Sequence, residues 1–121
     1  MSETVAVLGA SPKPARYSNK AIRMLAEYGH RVLPVNPAQD VIEGLPVSRR
    51  LEDISEPVDT VTLYVSPEHA LPLLPGLLAL KPRRVIFNPG AESPALEAAL
   101  EEAGIEVLEA CTLVLLRTRQ F

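Results

Sequence analysis

Five short apolar runs divide the chain at nearly regular intervals, and each run is rich in Val, Leu or Ile. They cover residues 4–8, 31–35, 60–65, 84–87 and 106–108. Runs of this length and composition are typical of strands that are buried on both faces. The first four end in turn-forming residues, namely Gly9, Asn36-Pro37, Ser66-Pro67 and Asn88-Pro89-Gly90. The pattern therefore predicts five strands with small or polar residues at their carboxyl ends.

Two of the intervals between these runs carry clear helical spacing. In the first interval, Ser18 is expected to cap a helix that has Ile22, Leu25 and Ala26 on one face. In the second, residues 93–104 have a Ser-Pro start, apolar side chains at helical spacing and a Gly at the end. Both segments are long enough for a helix that crosses one face of a sheet.

The interval after the third run gives a mixed signal. Ser66 and Pro67 favour a helix start, but Pro72 and Pro75 each remove a backbone donor. We therefore expect this helix to be kinked or to begin late. The tail at residues 111–116 is apolar, and its partner is not evident from the sequence.

Strands that alternate with helices favour a parallel sheet, because each right-handed crossover must lie on a face of that sheet. We therefore expect one α/β domain over residues 1–121, with an open, mainly parallel sheet of about five strands and helices on both faces. In such sheets, ligands bind beyond the carboxyl ends of the strands, where the strand order reverses. The four turn segments should meet at that edge.

The overall composition narrows the class of protein. Of the 121 residues, 47% are apolar and 22% are charged, as in an ordinary globular domain. No apolar run reaches the roughly 18 residues that a membrane span needs, and residues 1–4 lack the features of a signal peptide. We therefore expect a cytoplasmic protein with no membrane partner. The net charge of −3 and the scattered Lys and Arg residues also disfavour a nucleic-acid partner.

The loop after the first run carries the most chemical information. Gly9 lets the backbone turn sharply and approach a ligand, while Ser11 and Ser18 offer hydroxyl groups. Lys13 and Arg16 bring positive charge next to a helix start. This combination suits a phosphate or a pyrophosphate group. A solvated loop whose charges serve only solubility is the alternative.

Two familiar nucleotide motifs are absent from the chain. The pattern G-x-G-x-x-G fails because Ser11 and Lys13 follow Gly9, and Asn36-Pro37 replaces the acidic residue expected after the second strand. The pattern G-x-x-x-x-G-K-[ST] does not occur either. These absences weaken NAD binding as the function and give no support to hydrolysis of a nucleoside triphosphate.

Several segments resemble the small CoA-binding proteins. Residues 9–18 (GASPKPARYS) and 29–37 (GHRVLPVNP) are similar to the two leading motifs of that family. The likeness continues in order through residues 51–54, 57–61, Gly90 and 103–107 to Cys111. These proteins are single Rossmann-type domains, similar to the N-terminal domain of the succinyl-CoA synthetase alpha subunit. The resemblance implies a Rossmann-like fold that binds coenzyme A (CoA) or an acyl-CoA.

The resemblance also implies which residues contact the ligand. It assigns the CoA phosphates to the first loop, at Gly9, Ser11, Lys13, Arg16 and Ser18. The adenosine side would be lined by Asn36, Pro37, Val65, Ser66 and Pro67, whereas Asn88 and Gly90 would face the rest of the ligand. The sequence departs from the family pattern at Val65, where relatives commonly have a basic residue, and at Leu115, where they have a glutamate.

No catalytic residue and no metal ligand are predicted. Cys111 is the only cysteine, and neither it nor His30 nor His69 has neighbours at metal-ligand spacing. Since no cation or histidine is nominated to activate Cys111, we interpret it as a small buried residue, with a mixed disulfide to CoA as the alternative. His69 likewise has no carboxylate or nucleophile arranged with it.

The expected function is therefore CoA binding without catalysis, as a carrier, a sensor or a subunit. One alternative is an NAD-type, nucleotide-dependent enzyme or redox protein that uses the same edge. Another is an interaction protein, acting as a homo-oligomer or with a protein partner, whose sheet edge no longer binds a ligand.

Overall fold

A computed structural model describes residues 2–121 of the chain. This part of the chain contains seven strands, namely β1 Thr4–Leu8, β2 Arg31–Val35, β3 Val41–Ile42, β4 Leu45–Pro46, β5 Thr60–Leu63, β6 Arg84–Phe87 and β7 Glu106–Glu109. Five of them form one parallel sheet in the order β2-β1-β5-β6-β7, and β3 and β4 form a separate antiparallel hairpin. The predicted open α/β sheet is confirmed.

Helices cover both faces of the sheet. Their bounds are α1 Tyr17–Glu27, α2 Leu74–Leu80, α3 Pro94–Glu102 and α4 Thr112–Arg117, and short 3₁₀ turns lie at Leu51–Asp53, Pro67–His69 and Leu71–Leu73. No helix of residues 2–121 has the length and apolar character that a membrane span requires.

Two apolar cores lie on opposite faces of the sheet, because successive side chains of β1 point in opposite directions. Val5 and Val7 pack with α1 and with Leu116 of α4. Ala6 and Leu8 belong to the larger core, which includes residues from α2 and α3. These four of the five β1 side chains are buried, as expected for a strand that is covered on both faces.

The predicted strands agree with the structure except at two ends. Residues 60–65 were expected to form one strand, but β5 stops at Leu63, and Tyr64 and Val65 already belong to the crevice at its carboxyl end. In the last strand, Glu109 extends the predicted run by one residue.

The first helix begins differently from the prediction. The expectation that Ser18 caps α1 is wrong, because Arg16 is the cap residue and Ser18 lies inside the first turn. A turn in which the Arg16 amide donates to the Lys13 carbonyl starts the helix earlier. Ala26 is also exposed, and Ala21 takes its place on the buried face beside Ile22 and Leu25.

The two other predicted helices are confirmed. Two 3₁₀ turns at Pro67–His69 and Leu71–Leu73 precede α2, so this helix begins late, as its prolines predicted. In α3, the Ser93 hydroxyl accepts from the Leu96 amide at 3.4 Å, and the helix begins at Pro94.

The tail forms α4, which has its partner in α1. Leu113 and Leu116 are buried, and Leu116 completes the core between α1 and the sheet. A buried polar cluster fixes the start of this helix, since the Thr112 amide donates to Asn88 Oδ1 at 2.9 Å. The Thr62 and Thr112 hydroxyls are 2.7 Å apart.

Candidate functional site

The crevice between the carboxyl ends of β1 and β5 is the switch point of the sheet. From β1 the chain crosses to β2 on one side, and it then returns to β5 on the other side. Crossovers that leave in opposite directions open a gap between the two strand ends, and ligands of open α/β sheets bind in such gaps. Gly9 follows β1 at this point, and Tyr64 follows β5.

Gly9 is required at the centre of this crevice. Its φ of +85° is a left-handed conformation that side chains other than glycine rarely adopt. A Cβ atom built there would lie 2.6 Å from the Tyr64 carbonyl oxygen, so no larger residue fits. The two strand ends are therefore packed backbone against backbone, and any ligand at this point meets main chain rather than a side chain.

Three pockets follow one another along the edge and share lining residues. The loop pocket, of about 400 Å³, is lined by Gly9, Ser11, Lys13, Arg16, Tyr17, Ser18 and Tyr64. The β2 pocket, of about 360 Å³, shares Gly9 with it. The Cys111 pocket, of about 250 Å³, shares Tyr17 and Tyr64 with it. The three pockets form one groove, with the loop pocket in the middle.

All five residues that were predicted to bind phosphate line the loop pocket: Gly9, Ser11, Lys13, Arg16 and Ser18. Lys13 and Arg16 are exposed, and within residues 2–121 no carboxylate lies within 4.0 Å of either cation. Arg16 provides no side-chain cap for α1, and the first amides of a helix have no partner within it. Free amides, the helix dipole and two cations thus favour an anion in this pocket.

The shape of the first loop is held by two side chains that the sequence analysis missed. Asn19 is fully buried and donates to the Ser11 carbonyl at 2.9 Å. Arg23 donates to Asn19 Oδ1 at 2.9 Å and to the Pro14 carbonyl at 2.8 Å. A signal was present, because Asn19 shares the apolar face of α1 with Ile22, and a buried amide needs partners.

The β2 pocket has mainly apolar walls and a charged margin. The apolar side chains come from Leu8, Val35, Pro37, Leu51, Val65, Pro72 and Leu73. Arg49, Arg50, Glu52 and His69 also line it, and Gly76 of α2 contributes backbone. Of the residues predicted for the adenosine side, Pro37 and Val65 line this pocket.

The other predicted residues of that side lie next to the pocket. Asn36 is bonded within the protein, since its amide nitrogen donates to the Ala10 carbonyl at 2.7 Å and its Oδ1 accepts from the Ala38 amide. This contact ties the end of β2 to the first loop. Ser66 and Pro67 are exposed, and the Ser66 hydroxyl lies 2.8 Å from His69 Nδ1.

The Cys111 pocket is lined by Tyr17, Tyr64, Asn88, Pro89, Cys111 and Leu113. The polar atoms of Asn88 are bonded within the protein: the amide nitrogen donates to Thr62 Oγ1 and to the Leu63 carbonyl, and Oδ1 accepts from Thr112. Asn88 thereby sets where β6 and α4 meet. Gly90, predicted for this side, is exposed, and its amide donates to Glu92.

Tyr64, between the loop pocket and the Cys111 pocket, has a buried hydroxyl without a hydrogen-bond partner among residues 2–121. The Thr62 and Thr112 hydroxyls lie close by, but they bond each other. Burial raises the pKa of Tyr64 to about 12, so the phenol keeps its proton at neutral pH. The Tyr64 ring lines both pockets, while its hydroxyl is buried beside the two threonines.

Comparison with known proteins shows the family of this chain. A sequence profile of the CoA binding domain family matches residues 3–117. A solved structure of an uncharacterized protein superposes with a TM-score of 0.95 at 40% identity, covering 100% of this chain and 99% of the other. Another, cell-free ID.343 from Thermus thermophilus, gives a TM-score of 0.90 at 41% identity, covering 98% and 90%.

A curated relative is also similar over part of its length. The uncharacterized protein YneT of Bacillus subtilis (strain 168) is 32% identical over 76 residues, which is 63% of this chain. The match spans about half of that protein, 53% of its length.

Proposed function

The chain belongs to the CoA binding domain family, and on that premise we propose that it binds coenzyme A or an acyl-CoA along the three joined pockets, without catalysis of its own. CoA has three linked parts: a 3′-phosphorylated adenosine, a diphosphate and a pantetheine arm that ends in a thiol. The groove also has three parts, and its middle part is the one built for an anion.

The observation that carries the proposal is the loop pocket. It combines a backbone that approaches closely at Gly9, an uncapped helix start, and two cations without carboxylate partners in the described chain. Each of these features favours negative charge, and the diphosphate is the part of CoA that must pass the centre of the groove. Lys13 and Arg16 would bind diphosphate oxygens, and the amides of the first turn of α1 would donate to them.

The flanking pockets support one direction for the ligand. The β2 pocket has mainly apolar walls and a volume of about 360 Å³, and we assign the adenosine to it. The Cys111 pocket is the smallest of the three, and we assign the pantetheine arm to it.

Ligand-dependent melting tests this proposal. CoA at about 100 times its dissociation constant should raise the free energy of unfolding by about 2.7 kcal/mol. Acetyl-CoA should give a similar increase, whereas NAD and ATP at the same concentration should give little. Stabilisation by NAD instead would favour the redox alternative. No response to any of the four would leave the interaction protein as the surviving interpretation.

A further inference from the structure

Two arginines line the margin of the β2 pocket, and the fold brings them there through the backbone. Residues 47–50 run beside the end of β2, where a parallel bridge joins Val35 and Ser48. The Asn36 amide donates to the Ser48 carbonyl at 3.0 Å, and the Ser48 amide donates to the Pro34 carbonyl at 3.1 Å. This pairing holds Arg49 and Arg50 at the carboxyl edge of β2, next to the proposed adenosine site.

Both guanidinium groups are available to an incoming anion. Arg49 donates to Asp40 Oδ1 at 2.7 Å and to the Pro37 carbonyl at 3.1 Å, while Arg50 lies 3.6 Å from Asp53. All of these side chains are largely exposed, and exposed ion pairs contribute little free energy. A guanidinium has five N–H donors, so these contacts leave several unused.

The positive side chains of the groove can be assigned to the negative groups of CoA. Among residues 2–121, the Lys and Arg side chains that line the three pockets are Lys13, Arg16, Arg49 and Arg50. The first two are assigned to the diphosphate. A phosphate monoester carries between one and two further negative charges at neutral pH, and it requires cations of its own. Glu52 also lines the β2 pocket, where its carboxylate lies beside Gly76 and opposes an anion, so the attraction for this phosphate has to come from the two arginines.

We propose that Arg49 and Arg50 bind the 3′-phosphate of the adenosine ribose, so that the protein selects CoA over dephospho-CoA and NAD. This assignment rests on the proposed function, since it requires the adenosine to occupy the β2 pocket. Arginine suits the task because its planar N–H groups match phosphate oxygens in pairs. The apolar walls would then contact the purine, and the two arginines would bind the 3′-phosphate that distinguishes CoA from dephospho-CoA.

Isothermal titration with CoA, dephospho-CoA and adenosine 3′,5′-bisphosphate tests the assignment. The native protein should bind CoA about 30-fold more tightly than dephospho-CoA, as expected for two charge-assisted contacts. The double variant Arg49→Ala/Arg50→Ala should lose this factor for CoA and keep its affinity for dephospho-CoA. It should also lose most of its affinity for the bisphosphate, which has no pantetheine arm.

A matched control removes two positive charges from the opposite edge of the sheet. The variant Arg31→Ala/Arg117→Ala changes net charge equally and touches none of the three pockets, so the factor should remain. The comparison of the two ligands on the native protein does not depend on how any variant folds. Equal affinity for CoA and dephospho-CoA, or equal weakening of both in the first variant, would overturn the arginine assignment alone. Failure of the native protein to bind either ligand would overturn the proposed function and this assignment with it.

Discussion

The polar groups at the amino ends of the strands and those of the loop pocket differ in whether they have partners within the protein. At the amino ends of the strands, Glu3 accepts from Thr60 at 2.6 Å and from Arg83 at 2.9 Å, and Arg84 donates to Thr60 at 2.8 Å. The Arg84 guanidinium also lies over the Phe121 ring, 4.6 Å from its centroid. In the loop pocket, at the carboxyl ends, Lys13 and Arg16 have no carboxylate partner in the described chain.

This difference separates groups that serve the fold from groups that are kept for a ligand. A buried polar group that finds its partners inside the protein supports the structure. Cations and amides without internal partners contribute little to the fold, and they gain most when an anion arrives. We therefore expect changes at the amino edge to lower stability and leave CoA binding intact, and changes in the loop pocket to do the reverse. A change at Gly9 should affect both.

The largest effect is expected for Gly9→Ala, which would break the contact between the two strand ends. The new Cβ would meet the Tyr64 carbonyl oxygen at 2.6 Å in a left-handed backbone, so we expect a loss of about 4 kcal/mol in the free energy of unfolding. Whatever remains folded should not bind CoA. Urea denaturation and titration calorimetry measure the two losses.

Gly29→Ala is the matched control for that change. Gly29 has nearly the same φ, +86°, but nothing lies within 4 Å of its added Cβ. Only the cost of the left-handed conformation applies, about 1 kcal/mol, and CoA affinity should be unchanged. Equal losses in the two variants would show that close packing at Gly9 is not what defines the crevice.

The next effect is expected for Arg84→Met, which tests the amino edge. Arg84 is 6% exposed, and its loss removes the donor to the buried Thr60 hydroxyl and one of the two cations beside Glu3, so we expect a loss of about 2–3 kcal/mol in the free energy of unfolding. CoA affinity should stay the same. Arg83→Met, at an exposed position, should cost less than about 1 kcal/mol. A loss of CoA binding in folded Arg84→Met protein would contradict the separation of the two edges.

A smaller effect is expected for Lys13→Ala/Arg16→Ala, and it should concern CoA binding rather than stability. Loss of two charge-assisted contacts should weaken CoA binding about 30-fold. The free energy of unfolding without ligand should change by less than about 0.5 kcal/mol, because both side chains are exposed and form no internal ion pair in the described chain. Raising the salt concentration should weaken CoA binding in the native protein more than in this variant. Unchanged affinity for CoA in this variant would show that the diphosphate does not bind in the loop pocket.

The smallest effect concerns His30 at the amino edge, whose Nδ1 accepts from the Glu3 amide at 2.9 Å. Burial lowers the pKa of His30 below its ordinary 6.5, so the unfolded chain takes up the proton first as the pH falls. The free energy of unfolding should therefore fall as the pH drops through 6.5. Above that range, His30 should add nothing to the pH dependence of stability.

His30→Asn keeps an acceptor and removes the titration. Urea midpoints at about pH 7.5 and about pH 5.5 should differ more in the native protein than in the variant. Equal differences would show that His30 does not couple protonation to folding. CoA affinity should be the same in both proteins at neutral pH.

Much of the fold could be predicted because a strand buried on both faces leaves a continuous apolar run, and the residues that end it are set by turn chemistry. Four of the five sheet strands therefore begin and end within a residue of their predictions, and the Ser-Pro start of α3 is where the pattern placed it. The six residues of α4 are too few to show helical spacing. The hairpin of β3 and β4 is turned by Glu43 and Gly44, both at positive φ, and its two-residue strands leave no periodic signal.

The site also has parts that the sequence predicts and parts that it does not. The first loop was recognisable because its phosphate-binding features lie within ten consecutive residues. Arg49 and Arg50 were missed because a backbone bridge between Val35 and Ser48 holds them beside the β2 pocket. No local sequence pattern predicts such a bridge. The role of Asn88 within the protein was missed for a related reason, since its partners Thr62 and Thr112 are far away in sequence.

The central claim is that the diphosphate of CoA lies in the loop pocket, between the start of α1 and the side chains of Lys13 and Arg16. A crystal structure of the protein grown with CoA tests it most directly. We predict diphosphate oxygens at about 3 Å from the first amides of α1 and from both cations, with the adenosine on the β2 side of Gly9. A loop pocket that holds only water, with CoA bound elsewhere or nowhere, would contradict the claim.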